Sequence, residues 1–159
     1  MVVVINIYYN TDIREVNMRR LFIMRKDLNM SSGKLTAQVS HCAEAYWTRL
    51  IKEKSRFIDS SSGYFFCGFI DKDIFEDYIS GSFTKTICEA KNKNHLLKAK
   101  TVAEELGLEE DKDFGLIYDK CLTELKPEES NGTTLTGIWF KPLPDKVSKT
   151  ISKKYQLYK

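Results

Sequence analysis

Apolar and polar positions along the chain fall into blocks whose spacing predicts the elements. Residues 2–9 (VVVINIYY) are β-branched and aromatic and predict a strand, and residues 10–20 are polar and turn-like. LFIMR (21–25) is a short apolar run suited to a buried strand, and the polar loop KDLNMSSG follows it. From Lys34 to about Lys54 the apolar residues Leu35, Val39, Cys42, Ala43, Tyr46 and Leu50 recur at three- and four-residue steps. That spacing predicts a helix, capped by Ser31 or Ser32. DSSSG (59–63) reads as a turn, YFFCGFI (64–70) as a strand, and 72–79 as a short helix stopped by Gly81. A strand over 84–90 precedes an amphipathic helix from about Lys93 to Leu106, with Gly107 as its left-handed cap. After an acidic loop (109–113), GLIY (115–118) and TTLTGIWF (133–140) read as strands. Pro142 and Pro144 then open a last helix carrying Val147, Ile151 and Tyr155. This order predicts an α/β fold: a three-layer sandwich, with a mixed, mostly parallel sheet of about four strands and helices on both faces.

Composition narrows the class. The chain has 159 residues, 42% of them hydrophobic, which suits one domain over 1–159 with a real core. Its four cysteines, at 42, 67, 88 and 121, form no Cys-x-x-Cys pair, and only two histidines occur. A zinc site is not expected from that set, because structural zinc needs clustered Cys and His ligands. The apolar start lacks the basic flank of a secretion signal, and no run is long enough to span a membrane. A reduced, cytoplasmic protein with no membrane contact is the expectation.

Two places carry candidate chemistry. Gly33-Lys34 stands where the chain enters its first long helix. A lysine is unfavourable at that positive end unless an anion binds there or negative charge develops during a reaction. At about 100° per residue, Lys34, Gln38 and His41 share one stripe beside the apolar face. The ordinary reading also stays open, with Lys34 and Gln38 as solvated surface and His41 as a half-buried helix residue. A phosphate-binding P-loop is excluded, because Leu28 and Leu35 occupy the places of its first glycine and its hydroxyl. The second place is Asp119, directly after GLIY, with Thr123 four residues on and Thr133 and Thr134 opening the next strand. Ligands of open α/β sheets gather at the carboxyl ends of strands. A carboxylate with nearby hydroxyls can orient and activate a water. A turn-forming aspartate with ordinary strand threonines is the alternative. Cys121 has no histidine close in sequence to activate it, and His95 is expected to be solvated.

The two places together resemble the archaeal and eukaryotic-type peptidyl-tRNA hydrolases. Residues 21–43 (LFIMRKDLNMSSGKLTAQVSHCA) resemble that family's apolar strand, Arg-x-Asp-Leu-x-Met, Gly-Lys and Ala-Gln-x-x-His through Arg25, Asp27, Leu28, Met30, Gly33, Lys34, Ala37, Gln38, Ser40 and His41. TICEAKNKNHLLKAKTVAEELGL (86–108) resembles its strand and helix ending in Glu-x-x-Gly-Leu. GLIYD with Thr123, Pro127 and Gly132-Thr133 resembles its Ile-x-Asp-Ala-Gly-Arg-Thr-Gln-x-x-Pro-Gly-Thr run. The resemblance covers roughly residues 18–157.

It implies hydrolysis of the ester between a peptide and its tRNA, without metal or cofactor, in a protein that often dimerises. It also implies that Lys34 and Asp119 are the essential groups, supported by Thr123, with Gln38, His41 and Thr133 around them and Arg25 and Lys141 toward the tRNA. Lys120-Cys121-Leu122 departs from the family's Ala-Gly-Arg, Glu124 replaces its glutamine, and EESN (128–131) lengthens the same loop. Residues 1–17 read as an N-terminal extension and 57–83 as an insertion. Residues 141–159 carry six lysines against one aspartate, a charge balance that suits a tRNA partner. The altered loop leaves open a non-catalytic paralogue that binds RNA or protein. The low net charge of +3 leaves open an esterase acting on small molecules.

Overall fold

The computed structural model describes residues 17–159, so the strand expected over 2–9 lies outside the described residues. The strand β1 (Met18–Arg25) is buried on both sides along nearly its whole length, which is why its middle, Leu21–Met24, is apolar without alternation. It runs into α1 (Ser32–Lys54), whose start is capped by the Ser31 hydroxyl accepting the Lys34 N–H. A hairpin of β2 (Ser55–Ser60) and β3 (Gly63–Gly68) follows, then a wide, π-type helical segment, Ile74–Ser82, broken at Gly81. After β4 (Thr84–Ala90), α2 (Lys93–Glu105) ends at Gly107 with φ +79°, and the Leu108 N–H bonds the Ala103 carbonyl. The chain closes with β5 (Phe114–Asp119), β6 (Thr134–Phe140), β7 (Leu143–Pro144), α3 (Asp145–Ser152) and β8 (Gln156–Leu157).

The main sheet runs β5-β6-β1-β4-β8, with β7 also on β1. The expected α/β class and mixed sheet hold. The four long strands are joined by two-residue β7 and β8, giving six in all. The parallel part is the β1–β4 pair, which the α1 crossover connects; β6 and β7 on β1, β8 on β4 and β5 on β6 are antiparallel. The cause is local: only a loop joins β5 to β6, and a parallel return needs a longer crossover.

Alternation along β1 sorts the two cores. Leu21 and Ile23 pack with Leu96, Ala99 and Ala103 of α2 and Ile151 of α3. Phe22 and Met24 pack on the other face with Cys42 and Tyr46 of α1 and with Ile74 and Tyr78. Helices thus cover both faces, as the three-layer expectation requires. Among the described residues, no helix is long and apolar enough to cross a membrane.

The sequence pattern did not predict β2, nor the two-residue β7 and β8. The turn expected over 59–63 is tighter, since β2 and β3 pair from Ser55↔Gly68 to Ser60↔Gly63. His95, expected to be solvated, instead stacks on Tyr155 with centroids 4.5 Å apart, and its Nδ1 accepts the Lys91 N–H. Burial, with Lys91 and Lys98 nearby, holds its pKa below the usual histidine value.

On the α1 face of β1 sits a fully buried cation, Arg20. Its guanidinium donates to the carbonyls of Phe140 on β6 (3.2 Å) and of Cys42 (2.9 Å) and Ala43 on α1, and lies 4.9 Å over the Phe22 ring. Desolvation pulls its pKa down to about 10. One side chain therefore ties three elements through carbonyl dipoles and a ring face. Arg20→Ala leaves a cavity and loses these bonds, so it is expected to cost about 3 kcal/mol or more in denaturant unfolding.

Candidate active site

The site lies where α1 passes the carboxyl end of β5. Asp119, the last residue of β5, is nearly buried, and its carboxylate meets three protein donors, two on one oxygen and one on the other. One oxygen, Oδ2, accepts the Lys34 ammonium at 2.7 Å and the Gln38 amide at 2.8 Å. The other, Oδ1, accepts the Cys121 N–H at 2.8 Å, which closes the turn after the strand. Lys34 also donates to the Thr123 hydroxyl at 3.1 Å. Burial alone would raise the Asp119 carboxyl; Lys34, the Cys121 N–H and Gln38 outweigh it and hold the pKa below the usual carboxylate value.

Gln38 is buried, not solvated, and its orientation is determined by chemistry. The carboxylate needs a donor, so Gln38 turns its amide N–H to Asp119 and its oxygen to the Thr136 hydroxyl, 2.7 Å away. Thr136 is available because the β5–β6 register slips there: Ile117 pairs with Gly137, whereas Tyr118 pairs with Leu135. The unpaired Thr136 is a β-bulge that re-aims its side chain toward α1. The sequence reasoning did not find Thr136, because a threonine inside an apolar strand gives no sign of a register slip.

An open cavity of about 660 Å³ is lined by Lys34, Gln38, His41, Asp119 and Thr123, with Tyr118, Lys120 and Leu122 at its wall. Tyr118, Lys120, Leu122 and His41 are exposed there. The structure thus brings Lys34, Asp119, Thr123, Gln38 and His41 together. Thr133 stands apart, donating to Asn131 at 2.6 Å in the turn before β6.

The two residues expected to face tRNA are engaged elsewhere. Arg25 is buried and clamped by Asp27 (2.6 Å) and Glu128, and it donates to the Leu135 carbonyl (3.0 Å). Burial alone would lower its pKa, but Glu128 and Asp27 raise it. A buried arginine needs such partners, so Arg25 stiffens the strand end instead of offering charge to a phosphate. Lys141 pairs with Asp113 at 2.6 Å, on β6's far end. Among the described residues, no group of three metal-ligating side chains occurs.

The loop after β5 carries backbone strain. Cys121 has φ +55°, a left-handed conformation that favours glycine. Glu124 closes the loop onto α1, accepting the Ser31 N–H and hydroxyl at 2.8 and 2.7 Å, which holds its pKa below the usual carboxylate value.

A lysine–carboxylate pair, propped by an amide at the strand ends of an α/β sandwich and open to solvent, is the class of centre that hydrolytic enzymes use. The chain belongs to the family described as Peptidyl-tRNA hydrolase PTH2, whose model matches residues 18–158. It is 27% identical over 129 residues to a peptidyl-tRNA hydrolase of Thermococcus onnurineus, covering 81% of this chain and 87% of that one. It is 23% identical over 139 residues to one of Thermoplasma acidophilum, covering 87% and 97%. A solved structure of a protein of unknown function from Agrobacterium tumefaciens shares the fold, with a TM-score of 0.51, 8% identity, and coverage of 90% of this chain and 98% of that one.

Two outcomes follow from the geometry. A carboxyl whose folded pKa is depressed stabilises the fold above its unfolded pKa, and that contribution is lost as pH falls through the folded value. The stability gap between wild type and Asp119→Asn should therefore be full above about pH 4 and shrink below it, as read by urea melts across pH. Cys121→Gly should relieve the left-handed strain and raise stability by about 0.5–1 kcal/mol in the same melts.

Proposed function

We propose that this chain hydrolyses the ester between a peptide, or an N-blocked aminoacyl group, and tRNA in the cytoplasm, freeing the tRNA. The observation that carries the reading is the Lys34–Asp119 pair at 2.7 Å in the cavity floor. Membership of the Peptidyl-tRNA hydrolase PTH2 family supports it.

In this reading water attacks the ester carbonyl, the acyl–oxygen bond breaks, and the products are a carboxylic acid and the tRNA alcohol. Asp119 stays ionised and acts by holding and orienting the water, since a depressed pKa makes it a weak proton acceptor. Lys34 lies beside the reacting carbonyl and stabilises the negative charge that develops on its oxygen. Thr123 steadies the ammonium, and Gln38, backed by Thr136, steadies the carboxylate. Beside the cavity, the exposed Tyr118 ring and Lys120 give the tRNA end a stacking surface and a cation. They replace Arg25 and Lys141 in that role.

The second reading, a non-catalytic paralogue that binds RNA, draws on the strained Cys121 and the Glu124–Ser31 contact beside the catalytic lysine. One assay separates the two. Wild type should release tRNA from N-blocked aminoacyl-tRNA over many turnovers and slow as salt rises. Lys34→Ala and Asp119→Ala should each lose about 10²-fold or more in kcat. Tight tRNA binding by wild type with no release would sink the hydrolase reading.

A further inference from the structure

β5 is the outer strand of the main sheet: β6 pairs with one side of it, and among the described residues only the local bridge Glu110↔Phe114 pairs on the other. The main-chain groups of a strand alternate between its two sides. The Asp113 carbonyl accepts the Lys141 N–H at 2.8 Å and the Ile117 carbonyl accepts the Thr136 hydroxyl at 3.1 Å, so both face β6. The Phe114 carbonyl, one step out of phase, faces away and accepts the Asp111 N–H. The N–H and carbonyl of Leu116 and of Tyr118 therefore project from the open edge. The active-site cavity lies along that edge. A hollow over one face of a strand touches every second residue, whereas this one is lined by Leu116, Ile117, Tyr118 and Asp119 in succession. Sheets usually blunt an unpaired edge. Here the unpaired stretch forms a wall of the cavity that holds Lys34 and Asp119.

We propose, resting on hydrolysis of peptidyl-tRNA as the activity, that this edge binds the peptide part of the substrate as an added parallel strand, held through its main chain. Direction follows from chemistry. The reacting carbonyl is the carboxyl end of the peptide and must reach Lys34 and Asp119, which stand at the carboxyl end of β5. The peptide then runs in the same direction as β5, with its earlier residues beside Leu116. Parallel pairing fixes the bonds. The residue that carries the ester donates its amide N–H to the Tyr118 carbonyl. The residue two places before it donates its N–H to the Leu116 carbonyl and accepts the Tyr118 N–H on its own carbonyl. The N–H of the residue between them points away from β5. From Leu116 to Asp119 the edge spans about 10 Å, at about 3.3 Å per residue, which is room for about three peptide residues. Main-chain bonds are the same whatever the side chains, so such an edge holds peptides of any sequence. It uses the main chain of Tyr118 and leaves its ring, with Lys120, for the tRNA end.

Steady-state release of tRNA by the full wild-type chain tests this, with all variation placed in the substrate so that protein folding does not enter. An acetylated tripeptidyl-tRNA should have a kcat/KM about tenfold above that of an acetylated aminoacyl-tRNA, since it adds the two bonds to Leu116 and Tyr118. Further residues should add little. A methyl on the amide nitrogen of the residue two before the ester removes the donor to Leu116 and stands against the strand, and should lower kcat/KM about tenfold again. A methyl on the intervening amide, which points away from β5, should leave it within about twofold. Equal effects of the two methyls, or no gain with peptide length, overturn the proposal while tRNA release, and with it the hydrolase reading, stands. No release from any of these esters sinks the hydrolase reading and this proposal with it.

Discussion

The site depends on one constraint: a carboxylate taken almost out of water must be given donors. Asp119 receives them from α1, through Lys34 and Gln38, and from its own turn, through the Cys121 N–H. Meeting that need joins the start of α1 to the end of β5. It also reaches β6, because a Gln38 that turns its amide N–H to the carboxylate leaves its oxygen needing a donor, and the hydroxyl of the bulged Thr136 donates to it. The same bonds that satisfy the buried charge aim the lysine and the carboxylate at one cavity. Structure and chemistry are served by a single network.

Cations elsewhere obey the same rule by different means. Arg20 has no carboxylate partner among its hydrogen bonds; it is stabilised by carbonyl dipoles and aromatic faces, and its pKa falls to about 10. Arg25 is buried against two carboxylates and is held charged. Glu128, the first residue of the loop expansion, is one of those carboxylates. The expansion therefore braces the carboxyl end of β1, from which the chain runs into α1. Lys34 differs from both arginines in sitting at a cavity edge, where a substrate can reach it.

Much of this was legible in the sequence where period and burial agree. β1, α1, β4, α2 and β6 each bury a face, and their apolar spacing announces it. β2 did not, because Phe57 and Ile58 lie on opposite, exposed faces and so give no alternation of apolar with polar positions. β7 and β8 are two-residue pairings that tertiary contacts create. Lys34, Gln38, Asp119 and Thr123 were legible as motif residues, and the geometry brings them together. Arg25 sat in the same motif yet is an internal clamp, since sequence cannot tell an arginine that meets a phosphate from one that meets Asp27 and Glu128. Thr136 was hidden by a register slip that depends on two strands at once.

The central claim is that Lys34 and Asp119 work as one centre. The direct test is the loss in kcat for ester release from N-blocked aminoacyl-tRNA in the Lys34→Ala/Asp119→Ala double variant, set against the two single variants. If the pair acts as a unit, the double variant should be no slower than the slower single one, within about threefold. Losses that multiply would mean two independent groups and would contradict the account.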